Sequence, residues 1–151
     1  MSSFHGKHYY SLDPKGRIVI PAPLREVIFS LYNNSKLYIT NAAFDKCLQL
    51  FPAEEWGKLQ EKVRSLPKSD EAVKYFMRRV IASATECEMD KQGRILVPYE
   101  LRSDAGIASD IVIVGLLDKI ELWDKASWDA ISVPDKVDTK ALSAALAGYG
   151  I

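Results

Sequence analysis

The sequence predicts an α+β protein: a closed, pseudo-twofold β structure with a helical hairpin inserted between its halves. Three observations lead there. The segment Leu12–Pro21 returns as Met89–Pro98 at an offset of 77, with Asp, Gly, Arg, Ile and Pro in register. A second block, Asp45–Phe51, is echoed by Leu117–Trp123 at an offset of 72, and Trp56 and Trp128 each follow five residues later. Between the copies, the hydrophobic period changes from 2 to helical. Two units of about 50 residues are too few for a solenoid, which needs three or more repeats, but they suit two halves completing one core. The first unit holds five more residues between its blocks than the second, and a loop around Asn33–Ser35 can absorb them.

The elements follow in order. Tyr9–Leu12 alternates as a strand. Asp13-Pro14-Lys15-Gly16 has Asp at i, Pro at i+1 and Gly at i+3 of a type I turn, and Gly16 can take φ > 0 in a G1 bulge. Arg17–Ile20 is a β-branched returning strand that Pro21 stops. Pro23–Leu31 places Leu24, Val27, Ile28 and Leu31 on one helical face, and Lys36–Thr40 and Cys47–Phe51 are two more strands. Pro52–Leu66 carries Trp56, Leu59, Val63 and Leu66 at helical spacing. Ser69 is the expected cap of a following helix that runs to about Ala84, with Asp70 and Glu71 in its first turn. The second unit repeats the order: strand Glu86–Met89, turn Asp90–Gly93, strand Arg94–Val97, a short helix Tyr99–Ala105 ended by Gly106, and strands Ile111–Leu116 and Lys119–Trp123. Thr139–Gly148 is at most a short helix in a tail. The expected organisation is thus unit 1 over 7–53, the helical hairpin over 54–84, unit 2 over 85–128 and a tail over 129–151.

Composition narrows the class. Of 151 residues, 48% are hydrophobic, enough for a core, yet no stretch of 18 apolar residues could cross a membrane. The start, Met1–Gly6, lacks a charged region followed by an apolar run, so no signal peptide is expected. Two cysteines, Cys47 and Cys87, make no disulfide framework and suggest buried free thiols in a cytosolic setting. Twenty basic and 20 acidic residues cancel, which argues against a general polyanion binder. The charge is nevertheless uneven: residues 1–36 carry net +3 and residues 110–138 net −4.

Arg17 and Arg94 are the leading candidates for chemistry. Each sits directly after a tight turn at the tip of a β-hairpin ribbon, a shape that fits the major groove, and an arginine fork fits a phosphate or the O6/N7 edge of guanine. Two such probes on one rigid body suit a repetitive target, and duplex DNA is the first candidate. Lys15 and Lys91, within the turns, can add phosphate contacts, while Asp13, Gly16, Asp90 and Gly93 would structure them. The same residues also fit a plain structural account, in which Asp13–Arg17 and Asp90–Arg94 are internal ion pairs. Arg25 and Arg102, both following Pro-x-x-Leu spacing, could touch a phosphate or pair with a nearby acid, the second being favoured. Trp56 and Trp128 read as lids on each unit's core. His5 and His8 stand without ligand partners, so no metal or cofactor is expected. No nucleophile elbow, zinc-protease or P-loop pattern occurs, so no enzyme is expected.

Phe4-x-Gly6, Asp13-Pro14-Lys15-Gly16-Arg17 with Ile20-Pro21, and Asp90-Lys91-Gln92-Gly93-Arg94 with Val97-Pro98 resemble the MraZ family of bacterial transcriptional regulators. The resemblance spans nearly the whole chain, including Cys87–Asp90 and Glu121-Leu122-Trp123. It implies a pseudo-twofold β-barrel of two AbrB-like swapped-hairpin units with added helices. It also implies a homo-oligomeric ring and a repressor's role, exercised by binding repeated short promoter boxes of its own cell-division and cell-wall gene cluster, with nucleoid association in the cytoplasm. Carried over by position, Arg17 and Arg94 would contact DNA. Lys15 takes the family's basic turn position, whereas Lys91 sits one place earlier in its loop. The alternative is a protein-interaction module of antitoxin type, with the apolar helical hairpin and tail wrapping a partner.

Overall fold

Each half of the chain lays down four strands in the same order. The computed structural model describes residues 3–151; Met1 and Ser2, part of the N-terminal stretch considered for a signal peptide, lie outside the described residues. The first half supplies β1 (Lys7–Ser11), β2 (Arg17–Val19), β3 (Lys36–Asn41) and β4 (Leu48–Pro52). The second supplies β5 (Thr85–Glu88), β6 (Arg94–Leu96), β7 (Asp110–Leu116) and β8 (Lys119–Asp124). They form a six-stranded sheet in the order β1-β7-β8-β4-β3-β5 and a separate two-stranded ribbon, β2-β6. All pairings are antiparallel. Exchanging the halves reverses the strand order onto itself, so a pseudo-twofold axis runs between β4 and β8 and through the ribbon. The pairing is crossed: the first strand of each half lies beside the third strand of the other, β1 on β7 and β5 on β3. The closed barrel implied by the resemblance is not formed by hydrogen bonding. Among the described residues, the large sheet is open, with β1 and β5 at its edges, and the ribbon remains a sheet of its own.

The core fills the space between that sheet and the ribbon. Ile18, Ile20, Ile95 and Val97 from the ribbon segments meet Leu37, Ile39, Leu48, Leu50, Ile111, Ile113, Ile120 and Leu122 from the sheet. Helix α1 (Ala22–Val27) seals one end with Leu24, and α4 (Tyr99–Asp104) seals the other with Leu101. Phe4 is fully buried, stacks on Tyr32 and exchanges backbone hydrogen bonds with Leu117, so the N-terminal arm crosses onto the second half. Strand β7 is buried on both faces, which explains its continuous apolar run: Ile111 and Ile113 face the main core, while Val112 and Val114 face a second cluster with Ala42, Cys47 and Trp123.

Helices cover that outer face at two matching places. Helix α2 (Ala53–Arg64) lays Trp56 on Phe51 and Tyr38, with ring centroids 5.5 and 5.6 Å apart. Helix α5 (Lys125–Ile131), not expected from the sequence, lays Trp128 on Trp123 at 5.9 Å. The lid role read for the two tryptophans therefore matches their packing. Helix α3 (Glu71–Phe76) joins α2 over β3 and β4 through Phe76 and, in the π turn Met77–Ile81, Val80. Its cap is Asp70 rather than Ser69: the Asp70 carboxylate accepts from the amides of Ala72 and Val73. A charged oxygen is the stronger acceptor for the exposed amides of a first turn. The five extra residues of the first half are not all where the loop was expected: Leu37 stands where the second half has Ile111 and Leu50 where it has Leu122, so three fall between α1 and β3 and two between β3 and β4. Helix α1 continues as a π turn, Ile28–Tyr32, closed by Asn33 N donating to Ile28 O at 2.9 Å, and α4 has no counterpart to it. A last helix, α6 (Thr139–Ala147), carries no buried residue.

Candidate nucleic-acid interface

The two turns are built atom for atom alike. Asp13 Oδ1 accepts from the amides of Lys15 at 2.9 Å and Arg17 at 2.8 Å, while Oδ2 accepts from Arg17 Nε at 2.6 Å. Asp90 Oδ1 accepts from Gln92 and Arg94 amides, both at 2.9 Å, and Oδ2 from Arg94 Nε at 2.9 Å. Gly16 and Gly93 sit at φ 82° and 76°, the left-handed conformation that the sequence asks of them, and each donates back to its turn aspartate's carbonyl at 3.0 Å. The amide of Arg17 holds the Asp13 carboxyl below its ordinary value, reinforced by the Arg17 guanidinium and the Lys15 amide and opposed by partial desolvation. Asp90 is lowered in the same way by Arg94 and Gln92.

The internal ion pairs therefore exist, and they do not exhaust the arginines. Each pair uses Nε only. Among the described residues, the terminal amines of Arg17 and Arg94 meet no acceptor, and these side chains are 32% and 29% exposed. An aspartate that grips Nε fixes the guanidinium plane and leaves the outer edge of the fork open to a ligand.

The arginines are not at two separate hairpin tips. Beyond the turn bond from Asp13 N to Arg17 O, β1 leaves for β7 and β2 pairs with β6. The register puts Arg17 opposite Leu96, Ile18 opposite Ile95 and Val19 opposite Arg94. Ile18 and Ile95 point into the core, so the alternate residues Arg17, Val19, Arg94 and Leu96 share the outer face. Arg17 and Arg94 are thus diagonal neighbours on one ribbon, roughly 7–8 Å apart at Cα by ordinary strand geometry. Lys15 and Lys91 are exposed in the flanking turns. Leu96, 55% exposed, joins this face although no local pattern in the sequence singles it out; only the cross-strand register reveals it, and register between distant segments is not written locally.

Arg25 and Arg102 do not pair with acids, contrary to the sequence expectation. Arg25 Nη1 donates to Ile20 O at 2.5 Å and Arg102 Nε to Val97 O at 3.0 Å, and Arg102 also lies over the Tyr99 ring. Short helices starting right after Pro21 and Pro98 bring these carbonyls closer than any carboxylate. Cys47 is buried and Cys87 partly so, and both are free thiols. Burial raises the Cys47 thiol and pushes that of Cys87 up to about 12, so neither is poised as a nucleophile. Among the described residues, no group of three or more ligating side chains is placed to hold a metal, and no helix is long and apolar enough to cross a membrane.

Comparison with known proteins places the chain in a family. The family model described as "MraZ protein, putative antitoxin-like" matches twice, over residues 3–79 and 80–146, so that each match takes in one set of four strands. A protein of Acetivibrio thermocellus named "Transcriptional regulator MraZ" is 38% identical over 148 residues, covering 98% of this chain and 99% of that one. Proteins of the same name from Syntrophobacter fumaroxidans and Desulfitobacterium hafniense are each 39% identical, over 98% and 83% of this chain. Two matches in tandem and relatives aligned nearly end to end mean that this chain belongs to the MraZ family.

Proposed function

We propose that this chain is a DNA-binding transcriptional regulator, not an enzyme, that reads duplex DNA with the outer face of the β2-β6 ribbon. The observation that carries it is the pair of arginines on one exposed face, each oriented through Nε with its terminal amines unbonded. A two-stranded ribbon fits the major groove, and an arginine fork matches the O6/N7 edge of guanine. At 3.4 Å per base step, a diagonal of roughly 7–8 Å spans about two steps. Leu96 and Val19, between the arginines, offer apolar contact to a thymine methyl. Lys15 and Lys91 reach phosphates and set the register without reading sequence.

The relatives' shared name supports regulation of transcription. The family resemblance extends the proposal to repression of the chain's own cell-division and cell-wall cluster through repeated promoter boxes, in the cytoplasm at the nucleoid. The crossed pairing of β1 with β7 and β5 with β3 supports an AbrB-like exchange of hairpins between the halves. A homo-oligomeric ring is favoured by two features. Zero net charge gives one subunit a weak hold on a polyanion, which several linked ribbons recover. Phe29, Leu31, Phe44, Leu142, Leu146 and Tyr149 also leave apolar surface for subunit contacts. That same surface, with α6 free of buried contacts, favours the second reading, a protein-interaction module of antitoxin type.

The test is an anisotropy titration with the DNA upstream of this protein's gene, comparing wild type with Arg17→Ala/Arg94→Ala. Each bidentate arginine is worth about 1–3 kcal/mol, so the folded double variant is expected to bind roughly 30-fold more weakly or worse. Wild-type affinity should fall linearly with salt on log–log axes. An unchanged double variant, or a salt-insensitive complex, overturns the reading, and stable capture of a protein partner with no DNA binding installs the second.

A further inference from the structure

Arg25 and Arg102 occupy the same position on α1 and α4, and each reaches across the pseudo-twofold axis. The Arg25 side chain lies on Gly93 of the opposite turn: a methyl group placed there would sit 2.6 Å from Cδ and 2.9 Å from Nη1 of Arg25. The Arg102 guanidinium lies on Gly16, where a methyl group would sit 2.7 Å from Cζ and 2.8 Å from Nη2. The backbone repeats the crossing. Ile20, whose carbonyl holds Arg25, donates its amide to Gly93 O at 2.8 Å; Val97, whose carbonyl holds Arg102, donates to Gly16 O at 2.9 Å. Both glycines are buried although they belong to surface turns, because a planar cation covers each. Each glycine immediately precedes the arginine of its turn.

We propose that Arg25 and Arg102 are positioning residues that act in trans between the halves: Arg25 holds the turn that aims Arg94, and Arg102 holds the turn that aims Arg17. This rests on the DNA-reading role given above to Arg17 and Arg94. The sequence expectation of a phosphate contact or an acid partner is replaced by a clamp made of a carbonyl hydrogen bond on one side and a flat contact with a turn glycine on the other. Lysine cannot substitute, since it keeps the charge and a donor but has no plane to lay on the glycine.

The crossing gives a specific test by double-variant cycles on DNA binding, with folding followed by circular dichroism. Arg25→Ala is expected to weaken binding by about tenfold, the size of a moderate coupling between contacting residues. The full loss should reappear in the Arg17→Ala background, but less than about twofold should remain in the Arg94→Ala background. Arg102→Ala should show the mirrored pattern. Arg25→Lys should behave like Arg25→Ala, whereas a direct phosphate contact would be largely kept by lysine. Without DNA, amide and arginine Nε–H spectra of Arg25→Ala should move at Gly93 and Arg94 and stay still at Gly16 and Arg17. Equal losses in both backgrounds, or an unmoved Gly93–Arg94 pair, overturn the proposal. If Arg17→Ala and Arg94→Ala themselves bind like wild type, the DNA reading fails and the spectra alone decide the clamp. If Arg25→Ala does not fold, Arg25→Lys carries both readouts.

Discussion

Asp13 and Asp90 act on the arginines as a cap acts on a helix: one oxygen gathers two turn amides and the other fixes the side chain. Asparagine keeps an amide-accepting oxygen and loses the ion pair; alanine loses both. Asp13→Asn should therefore weaken DNA binding less than Asp13→Ala, as anisotropy titrations would show, and equal losses would mean that the arginine's aim alone matters and the turn amides add nothing. Both carboxyls titrate below their ordinary value of 3.8. A depressed carboxyl stabilises the fold above its unfolded value and loses that contribution as pH falls through the folded one. These turns should thus be insensitive to pH from roughly 5 to 8 and loosen only below the ordinary carboxylate range, which arginine Nε–H spectra recorded across that range would check. The turn glycines are the second residue-scale constraint. At φ 82° and 76°, an alanine at either position costs about 1–2 kcal/mol from the left-handed conformation. Gly16→Ala and Gly93→Ala should each lower Tm by roughly 2–4 °C per kcal/mol in a chain of this size. These features are legible in the sequence, because turn chemistry is local: Asp, Pro and Gly at fixed offsets dictate it. The crossed reach of Arg25 and Arg102 is not, because it depends on which glycine lies opposite in space.

Element by element, the strands are legible to within a residue or two, since period-2 alternation and β-branched runs act locally. The differences arise where geometry, not pattern, decides. The apolar spacing of Pro23–Leu31 rightly asks for a helix, yet the switch to i+5 bonding at Ile28–Tyr32 leaves no mark in that spacing. This π turn takes up three of the first half's five extra residues, the other two lying between β3 and β4, and it breaks the pseudosymmetry in a definite way: Ile28 is fully buried, while Phe29 and Leu31 are about half exposed. Helix α5 is only seven residues long and fully buries no residue, packing only the partly buried lid tryptophan on the sheet, too little for a periodic signal. The open sheet follows from long-range pairing that no segment encodes alone. The π turn yields a contrast to measure by urea denaturation. Ile28→Ala should cost about 2–5 kcal/mol as a cavity in the main core, while Phe29→Ala, one residue on, should stay within about 0.5 kcal/mol. A cost at Ile28 as small as that at Phe29 would mean that the turn is a surface addition and not part of the core.

At the scale of the whole molecule, neither half can satisfy its own backbone. In the first half alone, β3 keeps β4, but β1 loses β7 and β2 loses β6, leaving two strands without their ladders and the faces of Ile18, Ile20 and Leu24 without a lid. Buried or exposed, unpaired strand edges and a bare apolar face are unfavourable. The pseudosymmetry supplies the remedy. A second copy of the first half offers β3 where β7 stood and β2 where β6 stood, so residues 1–84 expressed alone should either fail to fold or form a twofold dimer with mutual β1–β3 and β2–β2 pairing. The full chain should unfold in one cooperative transition, because removing either half dismantles the other's sheet. Light scattering coupled to size exclusion, with circular dichroism, distinguishes the cases. A dimeric or unfolded half agrees with interleaved halves sharing one core. A folded monomeric half, or two separate transitions in the full chain, would mean that the halves are independent domains; the ribbon that sets Arg17 beside Arg94 would then be a contact between domains, free to open, and not a rigid reading head.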